Sequence, residues 1–387
     1  MKNRTSRLTY PLYIAIVCLF LCVSGCAGSQ KQDEPSRNAE NSEIIGTAMH
    51  GVQETETPAQ KQASETFNSI LESMDMRMFD GEKVVEIHGE EDVDLIKKEF
   101  ARESLKRADP ETGSMDGIYL PIHAVMTLTS DADLQNIESC FQTLIQRVTT
   151  VEIVFAPIEG GFSVAKTLMF AAPARIHNRL MFTGKAEDMA DMGPLSIQLN
   201  ADIVHISNLE WTKSNQPQKR FSASVGKLFL AENIEISDNH VEKQAESLAE
   251  TLMQINPRSE SDKAAYLLKN VRFLRNQGIG LFGANYETAD QFERAALSQV
   301  HVEDNSTTNG MVLPASASID IDHAVVKNNI SYAFVQPIPS ANLTIRESRL
   351  NGKVYTCKPY PKYKNETCHP LTLIHNEIDE SADLSQK

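Results

Sequence analysis

The sequence predicts an all-β fold, a solenoid of stacked coils, and three observations carry that reading. The first is a short pattern, apolar-gap-apolar-gap-gap-Asn. It recurs as Ile234-x-Ile236-x-x-Asn239, Val271-x-Phe273-x-x-Asn276, Val300-x-Val302-x-x-Asn305 and Ala324-x-Val326-x-x-Asn329. Apolar residues two apart bury one face of a short strand, and an Asn three residues on suits the corner that ends it, because Asn tolerates left-handed backbone and bonds its own main chain. The second is the spacing. Ile206, Ile236, Phe273, Val302, Val326 and Leu350 are separated by 30, 37, 29, 24 and 24 positions, in the range that marks solenoids and arrays. The third is a further apolar pair before most copies: Ile197/Leu199, Leu228/Leu230, Ile319/Ile321 and Leu343/Ile345. Each coil therefore has at least two strands joined by a tight corner, and Gly278-Ile279-Gly280-Leu281-Phe282 reads as a third strand.

With these coils the chain resembles right-handed parallel β-helix proteins of the pectate-lyase type, whose coils pair an apolar-x-apolar strand with an Asn corner and a GI-x-L strand. The resemblance covers residues 150 to 380 and is specific for fold, much less for activity. A leucine-rich repeat is the competing architecture, since Leu297-x-x-Val300-x-Val302-x-x-Asn305 fits its core. Strand-like alternation of Thr, Ser, Val and Ile between the copies, in place of a Leu-spaced helical half, favours the β-helix.

Taken in order, residues 1–25 read as an export signal. Lys2, Arg4 and Arg7 supply its charged start, and Leu12 to Val23 an apolar core short for a membrane span. It ends in Val23-Ser24-Gly25-Cys26, which resembles the lipobox of bacterial lipoproteins. The resemblance implies a lipidated Cys26, and several acyl chains on one residue hold a protein firmly to a membrane. Residue 27 is Ala rather than Asp, so nothing here resembles an inner-membrane retention signal, and the expected address is the outer membrane of a bacterial envelope. Residues 26–57 are rich in Gln, Glu, Ser, Asn and Asp, too polar to bury surface, and read as a disordered tether. Residues 58–80 carry Phe67, Ile70, Leu71 and Met74 at helical spacing, an amphipathic helix that either docks on the solenoid or meets a partner.

Residues 81–160 read as an N-terminal α/β cap with the first coils, or as a separate small domain. Lys83 to His88 is a strand. A helix over about 91–107 would turn Val93, Ile96, Phe100 and Leu105 inward, and solenoid ends need cover. Ser130 and Asp133 form a capping box before a second helix with Leu134, Ile137, Phe141, Leu144 and Val148 on one face. Val151-x-Ile153-x-Phe155 follows as strand. The β-helix proper spans 161–380, interrupted by a helix over about 244–255 with Ala245, Leu248, Ala249, Leu252 and Met253 at helical spacing.

A formal charge of −15 on 387 residues argues against nucleic acid and against an anionic membrane surface as partners. Mean hydropathy of −0.31 is ordinary for a globular chain. Of six cysteines, Cys18 and Cys22 lie in the signal and Cys26 at its end. Cys140 sits on the apolar side of its helix as a small core residue. Cys357 and Cys368, close together in an exported chain, pair as a disulfide. Closing so short a loop contributes roughly 2 to 3 kcal/mol in the chain-entropy account. No Cys, His and acidic spacing resembles a zinc site.

Three constellations are candidate sites. The bridged loop holds Lys353, Tyr355, Lys358, Tyr360, Lys362, Tyr363 and Lys364 on an otherwise acidic chain. Tyrosine rings stack on sugars and ammonium groups meet carboxylates or sulfates, so the loop suits an acidic glycan; alternatively, its lysines only keep a surface loop soluble. The residue between each apolar pair must point outward, which gives a column of His205, Glu235, Arg272 and His301 on strands about 4.8 Å apart. Such a column either does acid-base work on a uronate-bearing saccharide or is a run of ordinary polar surface positions with one cross-strand pair. Asp320 and Asp322 share an outer face where carboxylates can hold calcium. Ile321-Asp322-His323 resembles the I-D-H of pectate lyases, but the Asp-Gly coil and downstream catalytic Arg expected beside it are missing.

The expectation is therefore a lipid-anchored envelope protein, binding glycan or another envelope component without catalysis and needing no cofactor. A polysaccharide lyase or hydrolase acting on an acidic glycan is the alternative, and a structural or adhesive surface protein the third.

Overall fold

The computed structural model describes residues 68–72, 79–107, 119–172, 178–185, 188–212, 220–240, 251–258, 263–278, 280–283, 291–307, 310–330, 334–338, 342–354, 371–380 and 382. The leader, the tether, Cys26, Phe67, Met74, Cys357, Cys368 and the loop residues Tyr355, Lys358, Tyr360, Lys362, Tyr363 and Lys364 lie outside them. The described chain is a parallel β-solenoid of about seven turns.

Three faces stack coil upon coil, and their strand pairings are parallel. The first face begins with Thr167–Ala171 and runs through the starts of the long strands Ser196–Thr212 and Phe221–Ser237. It continues with Thr251–Pro257, Gly280–Gly283, Met311–Pro314 and Val335–Ile338. The second face opens with Lys83–Glu86, Leu120–Leu128, Val148–Phe155 and Arg179–Gly184, crosses the middles of the long strands, and closes with Ser318–Asp322, Asn342–Arg346 and Leu371–Ile374. The third runs from Ala190–Asp191 through the ends of the long strands to His301–Glu303, Val325–Lys327, Arg349–Leu350 and Glu377–Ile378.

The corner between the second and third faces is built by one residue per coil in left-handed backbone: Asn208, Asn233, Asn270, Gln299, His323, Glu347 and His375, all with φ between 49° and 56°. Asparagine holds the first three because it adopts this conformation at low cost. The corner after the third face uses Asp238, Arg275, Asp304 and Asn328 in the same way. The repeated Asn sits one residue later, which corrects its expected role. Asn239, Asn276 and Asn305 are fully buried, and they form a ladder through the stack. The Nδ2 of each donates to the next Oδ1, over 3.1, 3.0 and 2.9 Å from Asn239 to Asn276, Asn305 and Asn329. Each Nδ2 also donates to a carbonyl of the coil before, as Asn276 does to Ile236 and Asn305 to Phe273.

The interior row beside this ladder is Trp211, Ile236, Phe273, Val302, Val326 and Leu350. Trp211, not Ile206, is thus the first member, and the first interval is 25 positions. Ile206 lies on the second face, in register with Ala231. A second slip of register concerns Leu228 and Leu230, which point outward while Phe229 and Ala231 fill the core. Period two could not separate the two sides, because here both are apolar. The outer side is covered: residues 68–72 are helical, and Ile70, Leu71 and Phe79 pack on Ile203, Leu228, Leu230, Ala265, Leu267 and Ala296. This segment is pinned by Glu82, which accepts from Arg179 Nη2 at 2.8 Å and from Thr150 Oγ1 at 2.7 Å, while the Arg179 guanidinium lies 4.7 Å from the Phe79 ring centre.

Near the N-terminal end, helix Glu90–Arg107 buries Val93 and Ile96 and half-buries Phe100. Leu105, expected inward, is 83% exposed, and Ser104 takes its place. The Asp133 carboxylate accepts from the backbone N–H of Thr129 and Ser130, the reach-back half of the capping box, but it opens a single 3-10 turn before the helix Ile137–Ile145. Cys140 is half-buried against the core, and burial, then nearby Glu90, push its thiol pKa up. The helix expected over 244–255 is overturned across its second half. Thr251–Pro257 is a strand with Leu252, Met253 and Ile255 buried, because its neighbours offer an unpaired strand edge and pairing outweighs helical spacing.

Candidate functional site

The third face carries an unbroken row of outward side chains, set by register. Asp191 lies beside Glu210, Glu210 beside Glu235, Glu235 beside Arg272, and Arg272 beside His301. Three of the four residues expected in one column are therefore neighbours. His205 is not among them; it lies on the second face, beside Met181 and Leu230. The cause is the misassigned first coil. Counting from Leu209-x-Trp211 instead of Val204-x-Ile206 places Glu210 in the column, so the signal is present in the sequence one face further along the same long strand.

Arg272 Nη1 pairs with Glu235 Oε2 at 2.9 Å, and His301 Nδ1 lies 3.2 Å from Glu303 Oε1. Beside them opens a shallow pocket of about 290 Å³ lined by Met189, Asn233, Ile234, Asn270, Arg272 and His301. Its amides are held in place: Asn270 Nδ2 donates to Asn233 Oδ1 at 2.8 Å, and Asn233 Nδ2 to Asn208 Oδ1 at 3.0 Å. At the other end of the row, Asp191 Oδ1 accepts from Gly193 N at 2.8 Å. Among the described residues neither Asp191 nor Glu210 has a cationic partner. Burial, then the charges of Asp191 and Glu235, raise the Glu210 pKa.

His205 belongs to a second polar group. Its Nε2 is 3.2 Å from Glu232 Oε2, and Lys269 Nζ is 3.8 Å from Glu232 Oε1. His123 Nε2 lies 2.8 Å from Glu152 Oε2, whose other oxygen accepts from Thr183 Oγ1 at 2.6 Å. The His205 imidazole, 3.2 Å away, lowers the Glu232 pKa against the effect of burial. For Glu152, burial pulls the pKa up but is outweighed by His123 and Thr183, so the net shift is downward.

Asp320 and Asp322 do share an outer side, Asp320 between the buried Ile319 and Ile321 and Asp322 between Ile321 and His323. Asp320 is paired with Arg346 at 2.9 Å and Asp322 with His323. Burial raises both carboxyl pKa values despite these partners. Among the described residues no group of three or more His, Cys, Asp or Glu is arranged to hold a metal ion. Lys353, the described member of the loop constellation, is exposed, and its carbonyl accepts from Phe334 N at 2.8 Å.

Fixed amides, a guanidinium and an imidazole on a shallow outer surface make a place to hold a polar ligand. The parallel β-solenoid is the class that the fold defines. Comparison with protein-family models, curated proteins and solved structures gave no match for this chain.

Proposed function

We propose that the chain is a lipid-anchored protein of the bacterial outer membrane, held through Cys26, whose solenoid recognises an acidic glycan without turning it over. The observation that supports recognition most is the third-face pocket. Arg272 and His301 stand on adjacent coils beside the paired amides of Asn233 and Asn270. A guanidinium takes a carboxylate in two parallel hydrogen bonds, and amides suit sugar hydroxyls. Arg272 is held by Glu235 and His301 by Glu303, so both are positioned donors rather than a free base within reach of a leaving group. The lysines and tyrosines of 353–364 extend the same chemistry.

The lyase or hydrolase reading keeps one observation in its favour, the neighbouring carboxylates Glu210 and Glu235, of which Glu210 is pushed toward its protonated form. A single assay separates the readings. The full-length protein in detergent is titrated with polygalacturonate oligomers, following affinity together with new reducing ends and ultraviolet absorbance. We expect binding without products, weakened at least ten-fold by Arg272→Ala and several-fold by Tyr360→Ala with Lys362→Ala. Product formation that disappears in Glu210→Gln would replace recognition by catalysis.

A further inference from the structure

The third-face row is divided by charge. Its first two members, Asp191 and Glu210, are carboxylates on adjacent coils with no cation facing them among the described residues. Its third, Glu235, is neutralised by the fourth, Arg272, at 2.9 Å. Arg272 is 47% exposed and keeps guanidinium donors for a ligand, with His301 on the next coil. Strands in a sheet lie about 4.8 Å apart. The two carboxylates therefore lie about 10 to 14 Å from Arg272 and about 14 to 19 Å from His301 along the row, a span that a short oligosaccharide covers.

Like charges on neighbouring strands are unfavourable, and the Gly193 N–H holds Asp191 in place by its Oδ1. A group that would make this end favourable is a cation. A metal ion is poorly served, since no group of three ligating side chains forms among the described residues. An ammonium needs only two or three acceptors, which Asp191 and Glu210 supply.

We infer that the row takes a zwitterionic oligosaccharide, with the free ammonium of an amino sugar between Asp191 and Glu210 and the carboxylate of a uronate a few sugars further along on Arg272 and His301. The inference rests on the glycan-recognition reading and narrows it: the acidic sugar is one part of the ligand, and a free amine on a nearby sugar is the other. Amine and carboxylate must also lie in a fixed order along the glycan, because the row has one acidic and one basic end.

Three probes test it with the full-length protein in detergent, by titration calorimetry. Polygalacturonate oligomers carry only carboxylates, chitosan oligomers only ammonium groups, and fully de-N-acetylated hyaluronan oligomers alternate the two. The expected result is binding of the third probe at least ten-fold tighter than of either other. Glu210→Gln, alone and with Asp191→Asn, then removes the advantage of the alternating probe over polygalacturonate. Arg272→Met abolishes the carboxylate contribution and leaves only the chitosan-like level. Thermal unfolding of each variant, followed by the fluorescence of buried Trp211, shows that it is folded; Glu210→Gln is isosteric at a side chain without a partner among the described residues, so it remains informative if the double variant is not. Polygalacturonate bound as tightly as the alternating probe would overturn the inference and leave acidic-glycan recognition standing. Binding of chitosan alone, or of none of the three, would overturn both.

Discussion

At the scale of single residues, the buried asparagines hold the stack together more than any charge does. Asn305 donates to Phe273 O, Glu303 O and Asn329 Oδ1, and its own Oδ1 accepts from the backbone and side chain of Asn276. Removing it strands buried backbone groups on two coils, each costing about 1 to 3 kcal/mol. Asn305→Ala should therefore destabilise by about 3 kcal/mol or more in urea unfolding. Asn270→Gly, which breaks an exposed amide pair but keeps the left-handed corner, should stay within about 1 kcal/mol. Equal losses would show that the ladder is not special. The polar group around Glu232 gives a pH prediction. The close approach of His205, 3.2 Å from the Glu232 Oε2, holds the folded pKa below that of the unfolded chain, about 4.3 for Glu. The contribution is then fully present above that unfolded value and is lost as pH falls through the folded one. Relative to the parent, Glu232→Gln should be less stable at pH 7 and the difference should shrink toward pH 3; a difference constant with pH would refute the assignment.

At the scale of elements, residues 68–72 and 79–82 cover one apolar outer strand surface. Ile203, Leu228, Ala265, Leu267 and Ala296 would otherwise be outward positions facing water, where polar residues are the rule. Phe79 is the largest side chain on that patch, and truncating a buried Phe costs about 3 to 5 kcal/mol. Phe79→Ala should thus raise binding of a hydrophobic dye and expose the segment to protease. Trp211 fluorescence should stay native, since Trp211 is wholly inside and its Nε1 still donates to Leu195 O. A shift of that fluorescence would mean that the segment is part of the core rather than a cover laid on it.

At the scale of the whole molecule, each coil touches only its neighbours, so stability is a sum of local coil and interface contributions. The strands Phe221–Ser237 and Ala264–Leu274 are paired on both sides over nearly their whole length. Leu371–Ile374 is paired on one side among the described residues, with Ile374 partly exposed. Native-state hydrogen exchange should show slowest amides in the first two strands and fastest in the last. Uniform protection across the coils would instead mean that the solenoid opens only as one unit.

The sequence by itself determined the solenoid, its coil lengths and most of its interior, because an inward apolar pair and a buried Asn recur wherever a coil must close on a tight corner. It also placed Glu235, Arg272 and His301 on one row, since the repeat that carries them is regular. Only the tertiary structure decided the first coil, where Trp211 lacks the Asn that marks the others and Val204/Ile206 imitate the pattern one face early on the same strand. It likewise decided that Leu228 and Leu230 face outward, because alternation cannot tell a covered outer side from a core. Asp191 and Glu210 joined the candidate site through strand register alone, and register between coils is set by pairing and packing that no single stretch of chain contains.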